Sequence, residues 1–149
     1  MKPIVLCLFV GVLFSATSCK KSEAERAVRN SIMGTWELRR ASGQMTINYT
    51  PGNGNTLHFT KSTYERHRTG QPAESGTYKI ILDASVEQNV CLVIADGRYE
   101  NRIDFSAVNS PKVFLQLSGD TLHLVSGCFA NDSGSFSDYV RIESTGSTE

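Results

Sequence analysis

Neither sign of charge is in excess. The 149 residues carry 15 Lys and Arg against 15 Asp and Glu, with both signs mixed along the chain. Nucleic acid wants a basic patch, so it is excluded as a partner. Histidine is scarce: His58, His67 and His123 form no His-x-His and no His-Glu-x-x-His, and there is no Cys-x-x-Cys. No metal-ligand spacing is therefore present. No Gly-x-Ser-x-Gly elbow occurs. The glycine-rich "PGNGN" at 51–55 lacks the lysine and following helix of a phosphate loop. These absences remove the usual routes to hydrolysis, metal catalysis and nucleotide chemistry, and the chain reads as a non-enzyme without cofactor.

Long apolar runs are also missing, save one. Residues 1–18, "MKPIVLCLFVGVLFSATS", have a single early charge, Lys2, an apolar run from Ile4 to Phe14, and small residues after it. The run is too short to span a bilayer, which needs about 20 apolar residues, and its three-part shape is that of a secretory signal. Cys19 follows the small residues. The stretch resembles a bacterial lipoprotein signal, in which that cysteine takes a lipid and becomes the new N-terminus. Ala16 and Ser18 also satisfy an ordinary small-x-small cut. On the lipoprotein reading Lys20 and Lys21 lie at the lipid head groups. The absence of an acidic cluster after Cys19 points to the periplasmic face of the bacterial envelope.

Removing residues 1–18 from the 149 leaves 131, with 14 basic and 15 acidic side chains once Lys2 is gone. That is enough for one domain with its own core. Cys91 and Cys128 remain, 37 residues apart, in a compartment where disulfides persist. A bond between them would contribute roughly 4 kcal/mol in the chain-entropy model; two separate buried thiols are the alternative.

The segment after Cys19 holds the one helical signal. Ser22 and Glu25 have capping-box spacing, Ala27, Val28 and Ile32 form a narrow apolar stripe, and Gly34 ends it. Residues 19–32 are thus a lipid-anchored tether with a short helix, or a flexible linker. From Trp36, the only tryptophan, the period changes to two. "TLHFT", "GTYKIIL", "RIDF", "KVFLQL", "DTLHLV" and "YVRI" each alternate an apolar with a mixed face, as half-buried strands do. With "WELRR", "STYERHRTG" and "NVCLVIAD" the count is nine, and "MTINY" at 45–49 is a doubtful tenth. Asp96-Gly97 suits a two-residue hairpin turn. Short connections favour an antiparallel meander, and closure removes the bare edges of so wide a sheet. An up-and-down β-barrel of eight to ten strands over 33–144 follows, with a disordered tail at 145–149. In such a barrel Trp36, opening the first strand, lies beside Arg141, near the end of the last. A guanidinium over an indole contributes roughly 0.5–2 kcal/mol.

Gly34-Thr35-Trp36, "TLHFTKSTYER", "SGTYKI", "GDTLHL" and "DYVRI", in this order and spacing, resemble the lipocalin-like family of bacterial envelope proteins. The resemblance covers about Met33 to Glu143 and implies a barrel closed near Trp36, open opposite, and holding a small apolar molecule. Gly34, Trp36 and Arg141 take structural roles. The strand count departs from the family's eight.

His58 and His123 sit on faces opposite their apolar neighbours and read as solvent-facing; meeting across the barrel wall is the alternative. Cys91, within "NVCLVIAD", reads as an inert strand thiol if unpaired. On "STYERHRTG", Tyr64, Arg66 and Arg68 share one face. Facing in, they would grip a carboxylate or phosphate head; facing out, the favoured reading, they form a solvated, salt-bridged strand. The ligand-binding candidates are Phe59, Tyr64, Arg66, Arg68, Tyr78, Phe105, Leu115 and Leu124, unless the interior is packed solid. Leu57, Ile80, Ile103, Val113 and Leu122 share the same apolar faces. The expected function is a lipid-anchored envelope barrel that binds a small hydrophobic or amphipathic ligand. The alternative is a partner-binding or inhibitor barrel contacting through "GCFANDSGSF", with Phe129 and Phe136 exposed.

Overall fold

The computed structural model describes residues 20–106 and 111–142. The expected signal segment over 1–18, the expected lipidation site Cys19 and the expected tail at 145–149 lie outside the described residues. Helix α1 occupies residues 20–32. Gly34 then turns the chain into the first strand with φ 121°, a conformation that glycine adopts without a Cβ clash. The strands are β1 (Gly34–Ser42), β2 (Thr46–Asn48), β3 (Thr56–Phe59), β4 (Thr63–His67), β5 (Glu74–Leu82), β6 (Asn101–Phe105), β7 (Val113–Ser118), β8 (Thr121–Ser126) and β9 (Ser135–Ile142). A short helix, α2 (Val86–Val90), lies between β5 and β6.

Neighbouring strands pair antiparallel in the order β1-β3-β4-β5-β6-β7-β8-β9, and β9 returns to β1. The sheet is a closed, eight-stranded antiparallel barrel with a short N-terminal helix, the lipocalin-like architecture. Eight is an even number, so the last strand meets the first antiparallel, with Trp36 opposite Arg141. Alternation sets the faces. In β4 Tyr64 is buried while Thr63, Glu65 and His67 are exposed. In β8 Leu122 and Leu124 turn inward. A bulge in β1 between Leu38 and Arg40 shifts the phase, so Leu38 stands opposite Tyr139 but Arg40 opposite Asp138.

Two expectations are corrected. "NVCLVIAD" is no strand: Val86 and Val90 are spaced one helical turn apart in α2, Cys91 ends that helix with φ 57°, and Val93 is 95% exposed. A short apolar run cannot by itself separate strand from helix. Removing this segment gives the ring its eight members. "MTINY" supplies β2, which pairs with Arg40–Ser42 on the same side of β1 as β3. The Asp96-Gly97 turn is closed by Arg98 N–H donating to Ala95 O at 3.2 Å, but joins no two strands, and of the pair only Gly97 has positive φ.

The molecule has two apolar cores. The inner one fills the barrel from Trp36, Leu57 and Leu122 to Phe59, Tyr78, Ile80, Ile103 and Leu115, and α1 adds Ile32 and Val28. The outer one lies on the barrel's far wall, where Phe114 and Val125 are covered by Val86, Val90 and Tyr99. Phe129 and Phe136, their ring centroids 4.7 Å apart, pack against this second core. They are half-buried, so the pair is not presented to a partner as an exposed contact loop. Cys91 and Cys128 are joined by a disulfide, Cα atoms 5.0 Å apart, tying the segment after α2 to the turn after β8.

Candidate functional site

The two ends of the barrel differ in what is left unpaired. At the closed end the last carbonyls of α1 would be orphans, as at any helix C-terminus. Arg141 Nη2 donates to Ser31 O at 2.6 Å, Trp36 Nε1 to Ile32 O at 2.7 Å, and Arg141 Nη1 to Met33 O at 2.7 Å. The guanidinium carbon stands 4.2 Å from the indole centroid, and Trp36 is fully buried. A Cβ on Gly34 would approach Arg141 Nη1 to 2.9 Å, so glycine is needed for space as well as for φ. The helix does not begin with the expected capping box. Ser22 is already helical, and Glu25 Oε1 instead accepts the Leu82 N–H at 3.1 Å.

Above this plug rises a column of rings. Phe59 meets Tyr78 edge-on at 5.0 Å, stacks with Phe105 at 6.4 Å, and Tyr64 meets Phe105 edge-on at 4.6 Å. Tyr64 finds its space because Gly76 stands opposite; a Cβ there would come within 3.1 Å of the tyrosine ring and 2.4 Å of Ser106 Oγ. The Tyr78 hydroxyl donates to Thr60 O at 2.7 Å. Burial pushes the Tyr64 hydroxyl pKa up, and the carboxylate of Glu74, which accepts its hydrogen bond at 2.7 Å, pushes it further. Phe59, Tyr78 and Leu115 are thus part of a filled interior.

The filling stops at Tyr64 and Phe105. Above them lies a cup of about 280 Å³ at the end opposite Trp36. Arg66, Arg68 and Tyr139 line it, with Ser126, Ser135 and Ser137 on the facing strands. Phe105, Pro111, Val113 and Leu124 supply its apolar wall. The Arg66 face therefore points inward, against the outward reading favoured from sequence. On the outer side of β4 lie Glu65 and His67, 2.9 Å apart. The cause is register: Leu57 opposite Arg66 and Phe59 opposite Tyr64 commit these even-numbered residues to the lumen. The Arg66 guanidinium lies 4.9 Å from the Phe105 centroid and 5.8 Å from that of Tyr64. Its Nη1 reaches Glu74 Oε2 at 3.3 Å, while its buried Nε has no partner. Burial raises the Tyr139 hydroxyl pKa, and the nearby Arg66 and Arg68 charges oppose that rise.

Of the eight ligand-binding candidates, Arg66, Arg68, Phe105 and Leu124 line the cup, Tyr64 forms its floor, and Phe59, Tyr78 and Leu115 lie below. The serines and Tyr139 were not among the candidates. Their signal is in "SFSDYVRI", whose inward face reads Ser135, Ser137, Tyr139, Arg141: small hydroxyls where a packed core would have large apolar residues. The histidines stay outside the cup. His58 Nδ1 pairs with Thr35 Oγ1 at 2.9 Å, and His123 Nδ1 with Asp138 Oδ1 at 2.7 Å. "PGNGN" serves its own chain: the backbone amides of Gly52 and Gly54 bond Glu37, which also pairs with Arg39. Burial of Glu37 works to raise its pKa, but these donors outweigh it and hold the carboxyl below its ordinary value. Among the described residues no group of three His, Cys, Asp or Glu is placed to share a metal ion.

Comparison with family models, with curated proteins and with solved structures returns no match for this chain.

Proposed function

We propose that this protein is a lipid-anchored member of the lipocalin-like envelope barrels, which takes up a small hydrophobic or amphipathic molecule at its open end without catalysis. The observation that carries the reading is the cup: an apolar wall of Phe105, Val113 and Leu124 facing two arginines, in a barrel otherwise packed. Its volume, about 280 Å³, is near the lower limit of ligand pockets. Apolar ligand area leaving water there contributes roughly 25 cal/mol per Å², and a polar contact at the rim sets orientation. The anchor is Cys19, immediately before α1. Because α1 packs on the closed end through Val28 and Ile32, a lipid on Cys19 would hold that end toward the membrane, with Lys20 and Lys21 near head groups and the cup facing away. Organic extraction of the purified protein followed by mass spectrometry tests the ligand; a stoichiometric small amphiphile is expected, and an empty extract together with no uptake of added amphiphiles overturns the reading. Fractionation tests the anchor: Cys19→Ser should move the protein to the soluble fraction, and unchanged membrane association refutes lipidation.

A further inference from the structure

The cup is asymmetric in charge, and its cations are under-used. Two guanidinium groups, Arg66 and Arg68, line it, and among the described residues the one carboxylate paired with either is Glu74, on Arg66, which leaves one positive charge in excess. Arg66 gives Glu74 a long contact of 3.3 Å from Nη1, and its Nε is buried without a partner. Leaving such a donor unmade costs about 1–3 kcal/mol, more for a charged group. The side chain of Arg68 makes no hydrogen bond or ion pair among the described residues, nor does the Tyr139 hydroxyl. Arg68 is exposed at the rim, and apart from Glu74 the cup offers its two cations only the neutral hydroxyls of Ser126, Ser135, Ser137 and Tyr139. The floor admits nothing deeper, because Tyr64 and Phe105 close it edge to face at 4.6 Å.

We propose that the cup binds a compact carboxylic acid, anion first, with its carboxylate between Arg66 and Arg68 and its apolar body against Phe105, Val113 and Leu124. This rests on the ligand-cup reading above and narrows it from any small amphiphile to one charge class. The planar guanidinium offers paired N–H donors that match the two oxygens of a carboxylate. The excess of one positive charge matches a monoanion; a phosphate monoester carries about 1.5–2 negative charges at pH 7 and overfills it. The closed floor and the small volume exclude a long chain threaded down the axis, as a hollow barrel would hold it.

The test is calorimetric titration of the purified protein at pH 7 with three probes of one ring system: 2-naphthoate, neutral 2-naphthalenemethanol and 2-naphthyl phosphate. The naphthoate should bind at least tenfold more tightly than the alcohol and more tightly than the phosphate. Arg68→Gln and Arg66→Gln should each shrink the acid–alcohol gap to within threefold, with melting temperature and near-UV dichroism as the folding controls. Equal binding of acid and alcohol overturns the charge assignment but leaves the apolar cup standing. Tighter binding of the phosphate overturns the monoanion argument. A gap that survives both substitutions removes the arginines from the site, and binding of none of the three overturns both this inference and the cup reading.

Discussion

Tyr139-Val140-Arg141 and Tyr64-Glu65-Arg66 present the same side chains to the lumen from two strands, and their arginines stand at opposite ends of one barrel. Arg141 is committed: two backbone carbonyls accept from it and an indole lies beneath it. Arg66 is half committed, with one long ion pair, a phenyl face at 4.9 Å and an orphan Nε. The same chemistry serves as a clasp where a helix end needs donors and stands ready for a ligand where, among the described residues, a single long contact to Glu74 is all that uses its donors. The difference lies in the neighbours, since α1 ends beside Arg141 while small serines surround the cup.

The largest expected effect breaks the clasp. Arg141→Ala removes the indole contact and orphans the Ser31 and Met33 carbonyls, so a loss of about 2–4 kcal/mol in urea unfolding is expected. Probe uptake at the far cup should persist. If uptake vanished while stability held, Arg141 would belong to the site.

A smaller effect comes from a group belonging to neither end. Asp83 accepts from the Ser85 hydroxyl at 2.5 Å and the Ser85 amide at 2.9 Å, and pairs with Arg102 at 2.8 Å and Lys112 at 3.4 Å. The Ser85 hydroxyl is the main cause, and with the Ser85 amide and Lys112 it holds the Asp83 pKa at about 2, against burial that works to raise it. A depressed carboxylate contributes its stability in full above its unfolded pKa, near 3.8, and loses it as pH falls through about 2. Asp83→Asn should cost about 1–2 kcal/mol at pH 7. The gap between variant and parent should narrow between pH 4 and pH 2, read as melting temperature against pH. A constant gap would refute the linkage.

Filling the cup sharpens the contrast. Ser137→Val should raise stability by about 1 kcal/mol, from apolar area buried without a lost hydrogen bond, and should abolish uptake of naphthalene probes. Unchanged uptake would place the ligand elsewhere.

The smallest effect is at Arg66. Replacing it with Met of similar reach removes a strained demand for partners along with one weak ion pair. The melting temperature should move by less than that of Arg141→Ala, within about 1 kcal/mol of the parent. A loss as large as that of Arg141→Ala would make Arg66 a structural clasp too, and end the comparison.

Much of the closed end was legible in the residues. Gly34-Thr35-Trp36 at the start of a two-periodic run and Arg141 near the end of the last imply pairing only if the sheet closes, and closure follows from the number of half-buried strands. The open end was less legible. Both faces of "STYERHRTG" carry polar groups, so alternation alone does not say which face is inside, and the cross-strand partners Leu57 and Phe59 decide it. "NVCLVIAD" misled because its apolar residues serve the outer core, through a helix too short to show a clear period.

By itself, then, the amino-acid order determined a period-two chain long enough to close on itself, with an indole and a guanidinium at the seam. Those features depend on local alternation and on the position of each strand along the chain. Only the tertiary structure decided the inward turn of Arg66 and Arg68, the depth at which packing stops, and the second core outside the wall. Each of these depends on register and on which side chains meet across strands, and no single strand carries that information.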